Sequence, residues 1–369
     1  MSRDNRSKIC QTSLPGPKSV KASASLSSEA SAYLLDIRRQ ISRILQGEDS
    51  RMLLIVGPCS VHSVSEAKEY ALKFLDLQNR VSDTFLPIMR TYFAKPRTSF
   101  GWKGLLFDPE LNGSCDALAG IHITRQLLVD LAEQKIPLAT EFLDPLSGFY
   151  FDDLIAWGCI GARTSESQTH REIASGLPMP VGFKNNTNGN LQVAVNGAYT
   201  ASKSHSFFGI DEEGKISLIR SKGNPNSHIV LRGGESGTNY DPKSISESLK
   251  LLKNKNLPEK IIIDCSHGNS LDDHHNQTFV FESVINQVIE GNTKIAGVIL
   301  ESYLQSGQQK LIEESKTGPT YGISITDACL NWTTTEQLVL WGNNKLRRHS
   351  LPQKNPELTF HNAVITCKE

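Results

Sequence analysis

Apolar positions along the chain repeat with two different periods, and the change from one to the other divides it into elements. In Ser28–Gln46, Leu34, Ile37, Ile41, Ile44 and Leu45 recur at helical spacing, with Arg38, Arg39 and Arg43 between them. Steps of three and four place such residues on one helix face, so an amphipathic N-terminal helix is expected over 29–47. That face must be buried, against the domain that follows or against another subunit. After Gly47, short β-rich runs alternate with longer helical stretches. The runs are Leu53–Cys59, Leu86–Tyr92, Pro137–Leu143, Cys159–Thr164, Pro180–Asn185, His228–Gly233, Lys260–His267 and Ile295–Ser302. Helix-like stretches include Ser65–Gln78, Leu118–Gln134, Asp152–Trp157 and Pro242–Lys253. Nearly continuous apolar runs such as IIID and AGVIL suit parallel strands covered on both faces. Eight βα units over 48–346 predict an α/β fold, a (β/α)8 TIM barrel, with an open doubly wound sheet as the structural alternative. Phe207–Ile210 and Lys215–Ile219 flank DEEG, which predicts an inserted β-hairpin at about 205–221.

Composition narrows the class. Hydrophobic residues make up 38% of the 369 and charged residues 21%, a globular balance. Residues 1–28 are Ser-rich, carry Asp4 as their one acid and are broken by Pro15-Gly16-Pro17. A disordered tail is expected there and another over 347–369. Lys plus Arg and Asp plus Glu both number 39, and zero net charge argues against nucleic acid as a partner. No apolar run reaches transmembrane length and the start has no signal core, so no membrane contact is expected and the cytoplasm is the expected compartment. Seven cysteines without a CxxC pair favour neither a disulfide scaffold nor a zinc ribbon.

Barrel chemistry sits at the C-terminal ends of the strands. Two sets of residues fall there. Arg90, Lys95, Arg97, Arg163, Lys184 and Arg232 are cationic. One such residue is commonly half of a salt bridge, but six on one rim imply anionic ligands, phosphates or carboxylates, with the balancing acids elsewhere. Cys59, His267, Glu301 and Asp327 form the second set, a donor mixture suited to a divalent metal ion: Mn, Fe, Co or Zn. Cys265, two residues from His267, reads as packing on the same face. His62 suits a phosphate or its own loop equally, and His274 and His275 read as a solvated helix start. Neither GxGxxG nor a Walker A motif is present, which disfavours a nucleotide enzyme.

The strand ends read GPCSVH, MRTYFAKPRTSFGWKG, GARTSESQTHREIASGLPMPVGFKN, LRGG, DCSHGNS, GVILES and YGISITDAC. In this order, from about Ser31 to Leu346, they resemble the type I 3-deoxy-D-arabino-heptulosonate 7-phosphate (DAHP) synthases of enteric bacteria and yeasts. The resemblance implies a barrel with an N-terminal extension and an inserted hairpin. It implies condensation of phosphoenolpyruvate with D-erythrose 4-phosphate and water to DAHP and phosphate, the first step of the shikimate pathway. By resemblance, Cys59, His267, Glu301 and Asp327 hold the metal. Arg90, Lys95, Arg163, Lys184 and Arg232 hold phosphoenolpyruvate, and Pro96, Arg97 and Thr98 of the KPRT loop hold the aldose phosphate. Lys95 donates a proton, with His267 or metal-bound water assisting, and Cys59 completes the catalytic set. A homo-oligomer, dimer or tetramer, is implied too. The chain departs from the family at Ser63, Ala94, Asn186, Asn188 and Leu271-Asp272-Asp273. The alternatives are a specialised or catalytically impaired paralogue, or a related synthase using another aldose phosphate.

Overall fold

The structure, a computed structural model, describes residues 11–97, 101–311 and 318–350. In chain order the elements are α1 (Pro17–Ser23), α2 (Ser28–Gln46), β1 (Met52–Gly57), α3 (Val64–Val81), β2 (Phe85–Arg90), α4 (Ala117–Glu133), β3 (Leu138–Glu141), α5 (Ser147–Phe151), β4 (Trp157–Ile160), α6 (Gln168–Gly176), β5 (Val181–Lys184) and α7 (Leu191–Ala201). They continue with β6 (Ser206–Ile210), β7 (Ile216–Arg220), β8 (His228–Leu231), α8 (Pro242–Asn254), β9 (Ile261–Asp264), α9 (Gln277–Ile289), β10 (Ile295–Tyr303), β11 (Leu330–Asn331) and α10 (Trp332–Ser350). Strands β1 to β5 and β8 to β10 pair in parallel in that order, and β1 pairs back with β10. The sheet therefore closes into a (β/α)8 TIM barrel, which rules out an open sheet. Between α7 and β8, β6 and β7 form an antiparallel hairpin.

Alternation along each strand gives the wall two burial surfaces. Leu54, Val56, Met89, Ile229, Ile263 and Val298 face the helices. Leu53, Ile55, Leu86, Ile88, Ala139, Trp157, Val230, Ile262 and Ile299 fill the interior. Leu34, Ile37, Ile41, Ile44 and Leu45 of α2 belong to the same interior cluster. The amphipathic helix thus covers the N-terminal mouth of its own barrel. It starts at Ser27, whose hydroxyl accepts the Ala30 N–H, and ends at Gly47, whose φ of 81° closes the last turn.

Three sequence expectations change. Residues 17–28 are not a disordered tail: Val20 is fully buried, Lys18 pairs with Glu213 of the hairpin at 2.9 Å and Lys21 with Asp152 at 3.0 Å. The helix expected at Asp152–Trp157 is instead α5, one turn earlier. Asp144 accepts the N–H groups of Leu146 and Ser147, which starts that turn. Arg38 of α2 donates to the carbonyls of Asp152 and Ile155, so the following residues satisfy their backbone without a helix. Finally, α10 runs on to Ser350, with Arg347 bonded to Asp83, rather than stopping at 346. Residues 1–10 and 351–369 of the expected tails lie outside the described residues.

The barrel interior holds one histidine that must stay neutral. His228 accepts the Trp157 indole N–H at 3.1 Å, and its Nδ1 donates to the Asn226 carbonyl at 2.9 Å. Burial lowers its pKa from 6.5 to about 4. Between those values the unfolded chain binds a proton that the native chain refuses, so this contribution is complete above pH 6.5 and is lost as pH falls to 4. It amounts to about 3 kcal/mol. We expect His228→Asn to flatten the fall of unfolding free energy across that window in urea titrations. An unchanged slope contradicts it.

Candidate active site

The same alternation that fills the interior also builds the site. Two residues beyond an inward apolar or small residue, six strands carry an inward charge: Ile88 to Arg90, Ala139 to Glu141, Gly182 to Lys184, Val230 to Arg232, Ile262 to Asp264 and Ile299 to Glu301. Cys59 follows β1 after Gly57-Pro58. Gly57 has φ 154°, and a Cβ there would lie 2.9 Å from the Arg90 carbonyl oxygen, so glycine admits the neighbouring strand end. Gly161 does the same for Glu141, whose Oε1 would sit 1.8 Å from an added Cβ.

The charges pair. Arg90, 1% exposed, donates to Glu301 at 3.0 Å and stacks over the Tyr92 ring at 4.0 Å. Lys184 donates to Asp264 at 2.8 Å. Asp264 also receives His267 Nδ1 at 3.0 Å and the Ser266 hydroxyl at 2.6 Å. Burial opposes ionisation of Asp264, yet Lys184 and His267 outweigh it and hold its carboxyl well below the usual range. Lys95 Nζ lies 2.8 Å from Cys59 Sγ and 2.7 Å from Asp327 Oδ2. Enclosure of Lys95, and loss of water on the side of the half-exposed Asp327 that faces the cavity, work against charge on both. Their attraction prevails, raising the ammonium's pKa and lowering the carboxyl's. Burial, with Glu301 adding to it, pushes the Cys59 thiol up to about 12. Arg232 is lowered, first by burial and then by the nearby Arg163, with Asp264 opposing.

One cavity of about 60 Å³ is lined by Arg90, Lys95, Pro96, Arg163, Lys184 and Arg232 together with Cys59, His267, Glu301 and Asp327. An adjoining cavity of about 340 Å³ shares Arg163, Arg232, His267, Glu301 and Asp327. Five of the six expected cations therefore converge. Arg97 lines a neighbouring cleft with Trp102, Gln308 and Asp327, and Thr98 lies outside the described residues. The balancing acids are not elsewhere, as the sequence suggested: Glu141 and Glu301 line the same cavity and Asp264 lies beneath it, because parity puts them on the same inward face. Glu141, Asp264 and Thr187 were not singled out from sequence, although their parity with Lys184 and Arg232 marks the first two.

The ligand atoms of Cys59, Glu301 and Asp327 all lie within 4.8 Å of one another. His267 stands at their edge, with Nε2 3.8 Å from Glu301. A thiol, two carboxylates and a ring nitrogen, with an ammonium already drawn between two of them, is a donor set that fits a divalent cation. Cys265 does not share a face with His267. It packs among the outer core residues, whereas His267, at φ 57°, turns the chain toward the cavity. His62 lies outside the cavity, buried 3.6 Å from Glu66 and edge-on to Tyr303.

A closed barrel with a charged, inward-facing ring at the C-terminal ends of its strands has the layout of a barrel enzyme. Comparison with known proteins narrows this further. The sequence profile of the DAHP synthetase I family matches residues 23–340. The Tyr-sensitive phospho-2-dehydro-3-deoxyheptonate aldolase of Escherichia coli K12 is 46% identical over 323 residues, 88% of this chain and 90% of that protein. A putative enzyme of the same name in Schizosaccharomyces pombe is 43% identical, over 86% of this chain and 87% of its own. A solved structure of the Francisella tularensis enzyme superposes with a TM-score of 0.90 at 38% identity, covering 93% of this chain and 99% of that one. The chain belongs to the DAHP synthetase I family, and it is an enzyme of the DAHP synthase class. Among the described residues, no helix is long and apolar enough to cross a membrane.

Asp264→Asn leaves Lys184 buried without its counter-charge. We expect a loss of about 3 kcal/mol in unfolding free energy, read from urea or thermal denaturation. Wild-type stability in that variant contradicts the pairing.

Proposed function

We propose that this chain condenses phosphoenolpyruvate with D-erythrose 4-phosphate and water to give DAHP and phosphate, opening the shikimate route to aromatic amino acids in the cytoplasm. The observation that carries the reading is the meeting of five cations with Cys59, Glu301 and Asp327 around one cavity. Phosphoenolpyruvate carries a carboxylate and a phosphate, and Arg90, Lys95, Arg163, Lys184 and Arg232 suit both ends. Arg97, in the next cleft, suits the phosphate of the aldose, and Thr98 is assigned beside it by the KPRT motif.

Cys59, His267, Glu301 and Asp327 would hold a divalent Mn, Fe, Co or Zn ion, which when bound supplies a Lewis acid for the aldehyde. Lys95 lines the cavity beside two of these ligands, and we assign it to donate a proton to the aldehyde oxygen as the new carbon–carbon bond forms. The former enol carbon is left electron-poor. Water adds to it and phosphate departs. Asp264 and Ser266 fix Nδ1 of His267, which leaves Nε2 as the nitrogen that would hold the metal. The cationic wall also offsets the repulsion between two anionic substrates. On the hairpin, Phe208 and Ile216 are 83% and 86% exposed, an apolar face that supports assembly into a dimer or tetramer.

The direct test follows phosphoenolpyruvate consumption with erythrose 4-phosphate and with arabinose 5-phosphate, before and after chelation and Mn²⁺ add-back. Turnover with the four-carbon sugar is expected, falling at least about 100-fold on chelation and returning with metal. Absence of turnover despite bound metal refutes the reading, and turnover with arabinose 5-phosphate alone assigns the other synthase.

A further inference from the structure

The segment after β9 has a charge pattern that the proposed reaction does not use. Between Lys260 and Lys294 there is no Lys or Arg, while Asp264, Asp272, Asp273, Glu282 and Glu290 are all acidic. Asp264 is taken up by Lys184. Asp272 and Asp273 stand at the start of a short 3-10 turn, His274–Asn276, that leads into α9. The histidines of that turn are adjacent in sequence and in space, with ring centroids 4.0 Å apart.

We infer that Asp273, His274 and His275 form a second, peripheral site for a borderline divalent cation such as Zn²⁺, separate from the Cys59 cluster. One ligand atom from each of the three lies within 4.8 Å of the others. Two imidazoles and a carboxylate are donors that Zn²⁺ or Cu²⁺ prefers and that Mg²⁺ or Ca²⁺ does not. His274 is already oriented: Nε2 bonds the Ser306 hydroxyl at 2.9 Å, and Nδ1 is turned toward Asp273 Oδ1 at 3.8 Å. A second hydrogen bond of this kind fixes the ring of metal-binding histidines generally. Asp273 Oδ1 caps the turn by accepting the His275 N–H at 3.0 Å, which ties the carboxylate to the residues that carry the two rings. The positive end of the helix dipole works against a cation here, and the two aspartates with no neighbouring base in sequence offset it. His274 also lines the adjoining cavity of about 340 Å³, so the cation would sit at the mouth that leads to His267, Glu301 and Asp327.

The test uses the full chain without a polyhistidine tag, stripped of metal and titrated calorimetrically with Zn²⁺ alone. Wild type should bind one equivalent more than H274N/H275N, and Cys59→Ala should keep the equivalent that depends on the histidines. Identical stoichiometry and affinity in wild type and H274N/H275N overturn the site. Loss of every equivalent in Cys59→Ala also overturns it, because the histidines would then have no site of their own. If Cys59→Ala instead binds as wild type does, the Cys59 cluster fails as a metal site while this one stands. Should the double variant fold poorly, His275→Asn alone is the control, since that residue is exposed. It should weaken the peripheral equivalent at least about 10-fold, and unaltered binding there overturns the inference.

Discussion

Charge buried inside a barrel has to be neutralised where it stands, and that constraint organises this molecule. Arg90 with Glu301, Lys184 with Asp264 and Lys95 with Asp327 are held at 2.7–3.0 Å at the ends of strands or in the loops beyond them. Removing one partner from such a pair leaves the other desolvated and alone, which costs several kcal/mol. The apolar layers below, sealed by α2, keep water from relieving that cost from the N-terminal side. The charged ring therefore depends on the hydrophobic interior, and the site on both.

The pairs differ in how tightly the fold commits them. Lys184 and Asp264 are both deeply buried, and Asp264 is further engaged by Ser266 and His267. Arg90 is enclosed by Glu301, Tyr92 and the Pro58 carbonyl. Lys95 is different. It belongs to a loop beyond β2, and its partner Asp327 is more than half exposed. On the proposed reading, Cys59 and Asp327 would hold the metal ion, and Lys95, beside both, would meet an anion of phosphoenolpyruvate. Metal and phosphoenolpyruvate would then favour one another's binding, as linkage requires.

Much of this was legible in the sequence because both the fold and the ring rest on a period of two. The apolar runs gave the eight barrel strands, and the residue ending each gave Arg90, Lys184, Arg232 and Glu301. Three things were not legible, each for a physical reason. Glu141 and Asp264 read as unremarkable strand residues until their parity was matched across strands that are distant in sequence. The turn that aims His267 was not legible, although the residue itself was named: alternation would point it outward, and a left-handed backbone turn at φ 57° brings it in. Residues 17–28 lack a periodic apolar face. They are held by buried Pro17 and Val20 and by ion pairs to the hairpin and to Asp152, contacts that exist only once the barrel is assembled.

The proposed reading requires one cavity to take both a metal ion, which Cys59, His267, Glu301 and Asp327 would hold, and phosphoenolpyruvate, which Lys95 would meet beside them. Calorimetric binding of phosphoenolpyruvate to the stripped chain, with and without saturating Mn²⁺, tests it most directly. The account predicts affinity at least about 10-fold tighter with the metal present, with most of that gain lost in Lys95→Met. Equal affinity in the two conditions would contradict it.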